Sequence, residues 1–143
     1  MKASSLPLVA VVAAMTAVSP VAASSEHAAT YMYQGRTMVG SIAPEGPVFW
    51  TIDCSYSGGV VYTGLRHRER LNVEYMDGSL AGYSRIQRDG RWAIYIGGSP
   101  RRLVGIAVRR SSTRWDVMRR QRVVGHTVGP DGPAAATALF TIC

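Results

Sequence analysis

The sequence predicts an all-β fold, an antiparallel β-meander of about eight to ten strands that closes into a small barrel. The first observation is a repeated unit in which a Trp preceded by Arg follows a Gly by ten residues: Trp92 follows Gly82, and Trp115 follows Gly105. The second is a series of short runs rich in β-branched and aromatic residues, separated by turn signals. The third is the number of these runs, because a meander of that many strands removes its exposed edges by closing on itself.

The N-terminus has the features of a secretory signal peptide. Lys2 precedes an apolar run over residues 6–18, which is too short to span a bilayer, and residues 21–23 offer small side chains for cleavage. We therefore expect residues 1–23 to be a signal peptide and residues 24–143 to form a single β domain, exported to the periplasm or the extracellular space. A buried helix or a membrane anchor is the alternative for this segment. No later run is apolar for long enough to cross a membrane.

The chain has two cysteines, Cys54 and Cys143. An exported protein meets oxidising conditions, and two cysteines allow a single intramolecular pairing, so we predict a disulfide between them. In the loop-entropy model, a disulfide that closes so long a loop stabilises the folded protein by about 4 kcal/mol. A reactive thiol and a metal ligand are the alternatives, and neither cysteine has a neighbouring Cys or His in the sequence. We predict no metal site and no cofactor.

The first half of the mature domain is predicted to form strands separated by turns. These strands are residues 31–33, 37–42, 48–54, 60–65 and 71–76. In the third of them, alternation places Trp50 and Ile52 on the face expected to point into the core. We expect a loop at residues 43–47, since Pro cannot donate to a ladder, a turn that includes Gly58-Gly59, and a charged turn at residues 66–69.

The second half is predicted to continue the meander and to end differently. Asp77-Gly78 and Asp89-Gly90 are hairpin signals. The predicted strands are residues 80–86, 92–96, 103–108, 114–118 and 123–128. Pro133 suits the first turn of a helix, and the Ala-rich residues 134–140 favour a short C-terminal helix by propensity. A last strand over the same segment is the alternative.

The Gly-to-Trp unit extends beyond its two full copies. It also runs from Gly40 to Trp50, and we expect degenerate copies to start at Gly64 and Gly125. Glycine inside a strand marks a bulge or a close approach of the backbone. We expect the tryptophans at the equivalent positions to form one layer of the interior, because an apolar residue follows each of them two positions on. An aromatic platform for a ligand is the alternative.

Charge is distributed unevenly along the chain. Residues 24–143 contain 15 Arg, no Lys and 9 acids, a net charge of +6. Residues 85–122 hold eleven of these arginines against Asp89 and Asp116. Such asymmetry indicates an anionic partner. The alternative is that the arginines only keep the surface soluble.

A meander brings alternate turns to the same end of the sheet, so we expect three Arg-bearing turns to cluster there. The predicted binding residues are Arg66, Arg68, Arg70, Arg88, Arg91, Arg109, Arg110 and Arg114. The opposite end is expected to hold Arg101, Arg102, Arg119, Arg120 and Arg122. The planar guanidinium suits phosphate, sulfate or carboxylate, so we predict an anionic macromolecule or an acidic protein surface as partner. Nucleic acid is not favoured, because the aromatics fall in mid-strand and are not interleaved with the arginines.

The sequence contains no motif that specifies a catalytic mechanism. A Ser-His-Asp order and a phosphate-cradling glycine loop are both missing. We therefore expect a non-enzymatic exported binding protein, such as an inhibitor or an envelope-associated module. One alternative is a small hydrolase acting on an anionic substrate such as RNA, with His67 and His126 as an acid–base pair. The other is a structural envelope protein with no discrete ligand.

Overall fold

The computed structural model describes residues 28–55, 57–64, 67–97 and 102–143. The strands are β1 (Thr30–Gln34), β2 (Thr37–Gly46), β3 (Phe49–Cys54), β4 (Gly58–Gly64), β5 (His67–Tyr75), β6 (Leu80–Ile86), β7 (Trp92–Ile96), β8 (Arg102–Arg109), β9 (Arg114–Arg119) and β10 (Arg122–Val128). Each strand pairs antiparallel with its neighbours in sequence, and β1 pairs with β10. The predicted closed meander barrel is therefore confirmed. The predicted signal peptide, residues 1–23, lies outside the described residues.

The two Asp-Gly turns form as their sequences predict. Asp77 and Asp89 each accept a hydrogen bond from the backbone N–H two residues later, at 2.9 and 3.0 Å. Gly78 and Gly90 then adopt φ values of +87° and +86°, in the left-handed region that glycine enters without a steric penalty. These turns join β5 to β6 and β6 to β7, which sets the register of both hairpins.

Three strand boundaries differ from the prediction. β2 continues through Pro44, inside the predicted loop at residues 43–47, because pairing with β1 has already ended and no strand on that side needs the missing N–H. β4 begins at Gly58, so the glycine pair predicted as a turn is strand, held by its pairing with the end of β3. β5 begins at His67, inside the predicted charged turn, because β4 and β5 stay paired to that point.

The C-terminal segment forms the helix, α1 (Gly132–Thr141), and not the alternative strand. The helix packs against β1, β2 and β5–β10, that is, against strands around most of the barrel wall. Its buried residues are Gly132, Ala134, Ala135, Ala136, Thr137, Ala138 and Leu139. Because the helix is buried on every side and touches strands on every side, it fills the interior of the barrel.

The two ends of the barrel differ in what they carry. The end at which β2, β6, β8 and β10 finish and α1 begins is called the tryptophan end, since Trp50, Trp92 and Trp115 lie near the start of β3, β7 and β9 there. At the other end α1 finishes and Cys54 forms a disulfide with Cys143, with their Cα atoms 5.7 Å apart. This is the disulfide end, and the predicted pairing is confirmed.

Glycines on alternate strands make room for the end of the helix. They are Gly59, Gly82, Gly105 and Gly125, on β4, β6, β8 and β10. A Cβ atom at each position would collide with Ile142, Thr141, Phe140 and Leu139 respectively. Consecutive residues of a helix point about 100° apart, which explains why four in a row meet four different strands. On β4 the repeat glycine is therefore Gly59, and the predicted start at Gly64 is wrong.

The tryptophans pack into the core, as the repeat predicts. Trp92 is buried, and Trp50 and Trp115 are half-buried against the same core cluster. A Cβ atom on Gly132, the first residue of α1, would run into the indole of Trp115. At the tryptophan end, a large strand residue such as Trp115 packs against a small helix residue such as Gly132. At the disulfide end, strand glycines pack against the larger residues 139–142. This matching of sizes fixes how deeply the helix sits.

Candidate functional site

The topology places the turns at residues 87–91 and 110–113 at the tryptophan end, as alternate turns of one meander. Of the predicted binding arginines, six have described side chains: Arg70, Arg88, Arg91, Arg109, Arg110 and Arg114. Arg66 lies outside the described residues, and the side chain of Arg68 is not among the described ones. We call the six described residues the arginine rim.

Three residues of the rim form ion pairs. Nε of Arg110 and Nε of Arg114 lie 2.8 and 3.3 Å from the carboxylate of Asp116, whose side chain is only 11% exposed. Nε of Arg91 lies 3.5 Å from the exposed carboxylate of Asp89. These pairs orient the guanidinium groups without neutralising the rim, because two carboxylates face three arginines.

The remaining rim residues have neutral neighbours. The guanidinium of Arg70 lies over the ring of Tyr83, 4.0 Å from its centroid, and its Nε donates to Oδ1 of Asn72 at 2.9 Å. Arg109 donates to the backbone carbonyl of Ser111 at 3.2 Å. Arg88 is exposed in its turn. Within the described part of the chain, none of these three guanidinium groups has a carboxylate within ion-pair distance.

The predicted His67–His126 acid–base pair is wrong. His67 begins β5 and His126 lies in β10, and four strands separate β5 from β10 in either direction around the barrel. The two residues therefore lie on opposite sides of the barrel, with α1 between them. The imidazole of His126 stacks on Tyr33, with ring centroids 4.8 Å apart. Burial, reinforced by the charge of Arg114 and opposed by that of Asp116, lowers the pKa of His126.

The described residues contain no group of three or more His, Cys, Asp or Glu side chains arranged to hold a metal ion. No helix formed by them is both long and apolar enough to cross a bilayer.

A groove of about 740 Å³ lies on the outer face of β8 and β9, and the sequence analysis did not predict it. Its lining residues include the apolar Leu103, Ile106, Val108 and Met118 and the basic Arg91, Arg102, Arg119 and Arg120. Three of these arginines were expected at the end opposite the rim, and the groove extends from their end toward Arg91. The signal for it was present in residues 103–108, which are apolar on both faces although a barrel buries only the inner one.

The chain matches no protein-family model, no curated protein and no solved structure.

Proposed function

We propose that this protein is a non-enzymatic, exported binding protein, an inhibitor or an envelope-associated module. It docks an anionic macromolecule or an acidic protein surface on the arginine rim. The observation that carries the proposal is the juxtaposition of two Arg-bearing turns, residues 87–91 and 110–113, at one end of the barrel. The six guanidinium groups of the rim outnumber the carboxylates of Asp89 and Asp116, so a positive field remains for a partner.

The filled interior supports binding at the surface. Many small barrels bind a ligand inside, in a cavity lined by the strands. Here α1 occupies that space, and Thr137 of the helix donates a hydrogen bond to Ser84 of β6 at 2.6 Å in the buried interior. A partner is therefore expected on the outside, where the arginines are.

Export is supported by the disulfide, since such bonds persist in oxidising compartments. The predicted signal peptide supplies the route. Mass spectrometry of the protein purified from its producing cell tests this: the expected mature chain starts near Ser24. An intact chain that retains residues 1–23 would contradict export by cleavage.

A charge-matched comparison tests the rim. The rim variant is Arg88→Gln/Arg109→Gln, and the control is Arg36→Gln/Arg122→Gln, which removes two exposed arginines from the disulfide end. Binding of the mature protein to immobilised heparin and to polyglutamate is measured at low and high salt. Two lost surface contacts of about 0.5 kcal/mol each correspond to roughly fivefold weaker binding for the rim variant.

The same comparison discriminates the alternatives. Binding that salt does not weaken, or equal losses in both variants, would contradict docking through the rim. A protein that binds neither probe would support the structural envelope protein. The hydrolase alternative loses its motivation, because His67 and His126 do not share a site.

A further inference from the structure

We propose that the groove on β8 and β9 is a second binding site, for a single-chain anionic amphiphile: a phosphate, sulfate or carboxylate head group attached to one alkyl chain. Of the arginine rim, Arg91 alone also lines this groove, and the proposal does not depend on the proposed function.

The head group binds at the disulfide end of the groove. Arg102, Arg119 and Arg120 come together there from the start of β8 and the end of β9. Among the described residues, no carboxylate lies within ion-pair distance of any of them. Among these three described side chains, Arg119 makes two internal contacts: its Nε donates to the carbonyl of Val104 at a long 3.4 Å, and its guanidinium lies 5.3 Å from the centroid of the Phe140 ring. Three neighbouring guanidinium groups without a counter-charge form a site for an anion.

The turn that follows β9 helps to set this arrangement. Arg120 and Gln121 both have positive φ, of 51° and 66°, and form a two-residue hairpin turn between β9 and β10. Paired positive φ values are those of the tight turns that match the twist of a hairpin. Residues other than glycine adopt them at a cost in free energy, and such a cost is often retained at binding sites.

The alkyl chain lies along the apolar floor. Ile106 and Met118 are cross-strand partners that point outward, and Leu103 is 53% exposed beside them. The inner face of β8 packs the core with Val104 and Ala107, whereas Leu103 and Ile106 lie outside the buried core cluster. From Arg102 to Val108 the strand extends about 20 Å, which suits an extended alkyl chain. The volume of about 740 Å³ falls within the range typical of ligand sites.

The far end of the groove determines the orientation of the ligand, with the alkyl chain at this end and the head group at the other. Arg91 is the basic residue there, and Asp89 lies 3.5 Å from it. The groove arginine at this end therefore has a carboxylate partner, whereas the three groove arginines at the other end have none among the described residues. One anionic head and one neutral tail match this pattern better than an anion at each end. A hydrophilic acidic protein surface would leave the apolar floor unused.

The test uses dodecyl phosphate below its micelle-forming concentration, with the mature protein and isothermal titration calorimetry. We expect saturable binding with one site, weakened at least tenfold by Arg102→Gln/Arg120→Gln and several-fold by Leu103→Gln, an exposed position whose substitution spares the core. The charge-matched control Arg36→Gln/Arg85→Gln removes two exposed arginines that line neither the groove nor the arginine rim, and it is expected to bind like the wild type. Thermal unfolding of each variant verifies that it is folded.

Two further probes separate the head group from the chain. Inorganic phosphate and the neutral octyl glucoside are each expected to bind at least tenfold more weakly than dodecyl phosphate. Equal binding of either probe, equal losses in the groove and control variants, or no saturable binding would overturn the proposal. Heparin binding at the arginine rim is measured on the same variants, and its retention in Arg102→Gln/Arg120→Gln would show that the two sites are separate.

Discussion

The ring of Phe140 lies against the backbone of Gly105, closer than any side chain at that position would allow. This contact joins the end of α1 to β8, and equivalent contacts at other repeat glycines join it to β4, β6 and β10. The repeat glycines therefore allow the end of the helix to pack directly against the strand backbones. Because the helix fills the interior of the barrel, a ligand can bind only on the outer surface.

The first prediction concerns that contact. Gly105→Ala should lower the free energy of unfolding by about 2 to 3 kcal/mol, because the new methyl group overpacks the core against Phe140 and the carbonyl of Met118. Gly46→Ala is the control, since a Cβ atom there meets nothing within 4 Å, and its effect should stay within about 0.5 kcal/mol. Chemical denaturation measures both.

A double variant sharpens this test. If the collision with the ring causes the loss, Gly105→Ala/Phe140→Ala should lose less than the sum of the two single variants. Additive losses would point to an effect of alanine on the strand alone.

The second prediction concerns the disulfide. Cys54 and Cys143 are separated by 89 residues, and a link of that length restricts the unfolded chain by roughly 4 to 5 kcal/mol. Cys54→Ser/Cys143→Ser should lose up to this amount in chemical denaturation, and a reductant should destabilise the wild type but not the variant. A wild-type midpoint that a reductant leaves unchanged would be inconsistent with the bond.

The third prediction concerns pH. Burial lowers the pKa of His126 from its ordinary value of 6.5, so the folded protein favours the neutral imidazole. The unfolded chain then takes up a proton more readily, and stability should fall as the pH decreases from 7 through 6.5 and the folded-state pKa. Hydrogen bonds from Ser79 lower the pKa of Asp77 from 3.8, so its contribution is lost only in more acidic solution.

Denaturation at pH 7 and pH 5 checks this. His126→Gln should show a smaller loss of stability between the two pH values than the wild type. The groups facing His126 are Tyr33, Arg114 and Asp116, and the variant leaves all three in place. Identical pH dependence in both proteins would contradict the assignment.

The fourth prediction concerns the carboxylate behind the arginine rim. Asp116→Asn removes the partner of Arg110 and Arg114 and should cost about 1 to 3 kcal/mol of stability. It should also tighten binding to polyglutamate, because two guanidinium groups lose their internal counter-charge. Weaker binding by a folded variant would show that Asp116 is needed to orient the rim.

Much of the architecture could be predicted because it depends on local chemistry. Asp89-Gly90 specifies a tight turn wherever it stands, and alternation such as that of Trp50 and Ile52 specifies a strand with one buried face. The same local reasoning fails for Gly58-Gly59. Two adjacent glycines usually mark a turn, and only the pairing of β4 with β3 and β5 makes them strand.

The candidate sites could be predicted less well. The meander rule places the turns that carry Arg88 and Arg110 at one end, but it cannot tell which arginines pair with carboxylates. The groove could not be predicted, because its lining runs from Arg120 at one end of the barrel to Arg91 at the other and becomes one surface only when the strands between them pair.

By itself, the sequence determined the order of the strands, the two Asp-Gly turns and the excess of arginine, since each depends on residue type and short spacing, and it determined the disulfide because two cysteines allow a single pairing. The tertiary structure alone decided that the helix occupies the interior, that His67 and His126 lie apart, and that an apolar floor remains exposed beside unpaired arginines. These features depend on closure of the sheet, which sets distances between residues remote in sequence that no local pattern encodes.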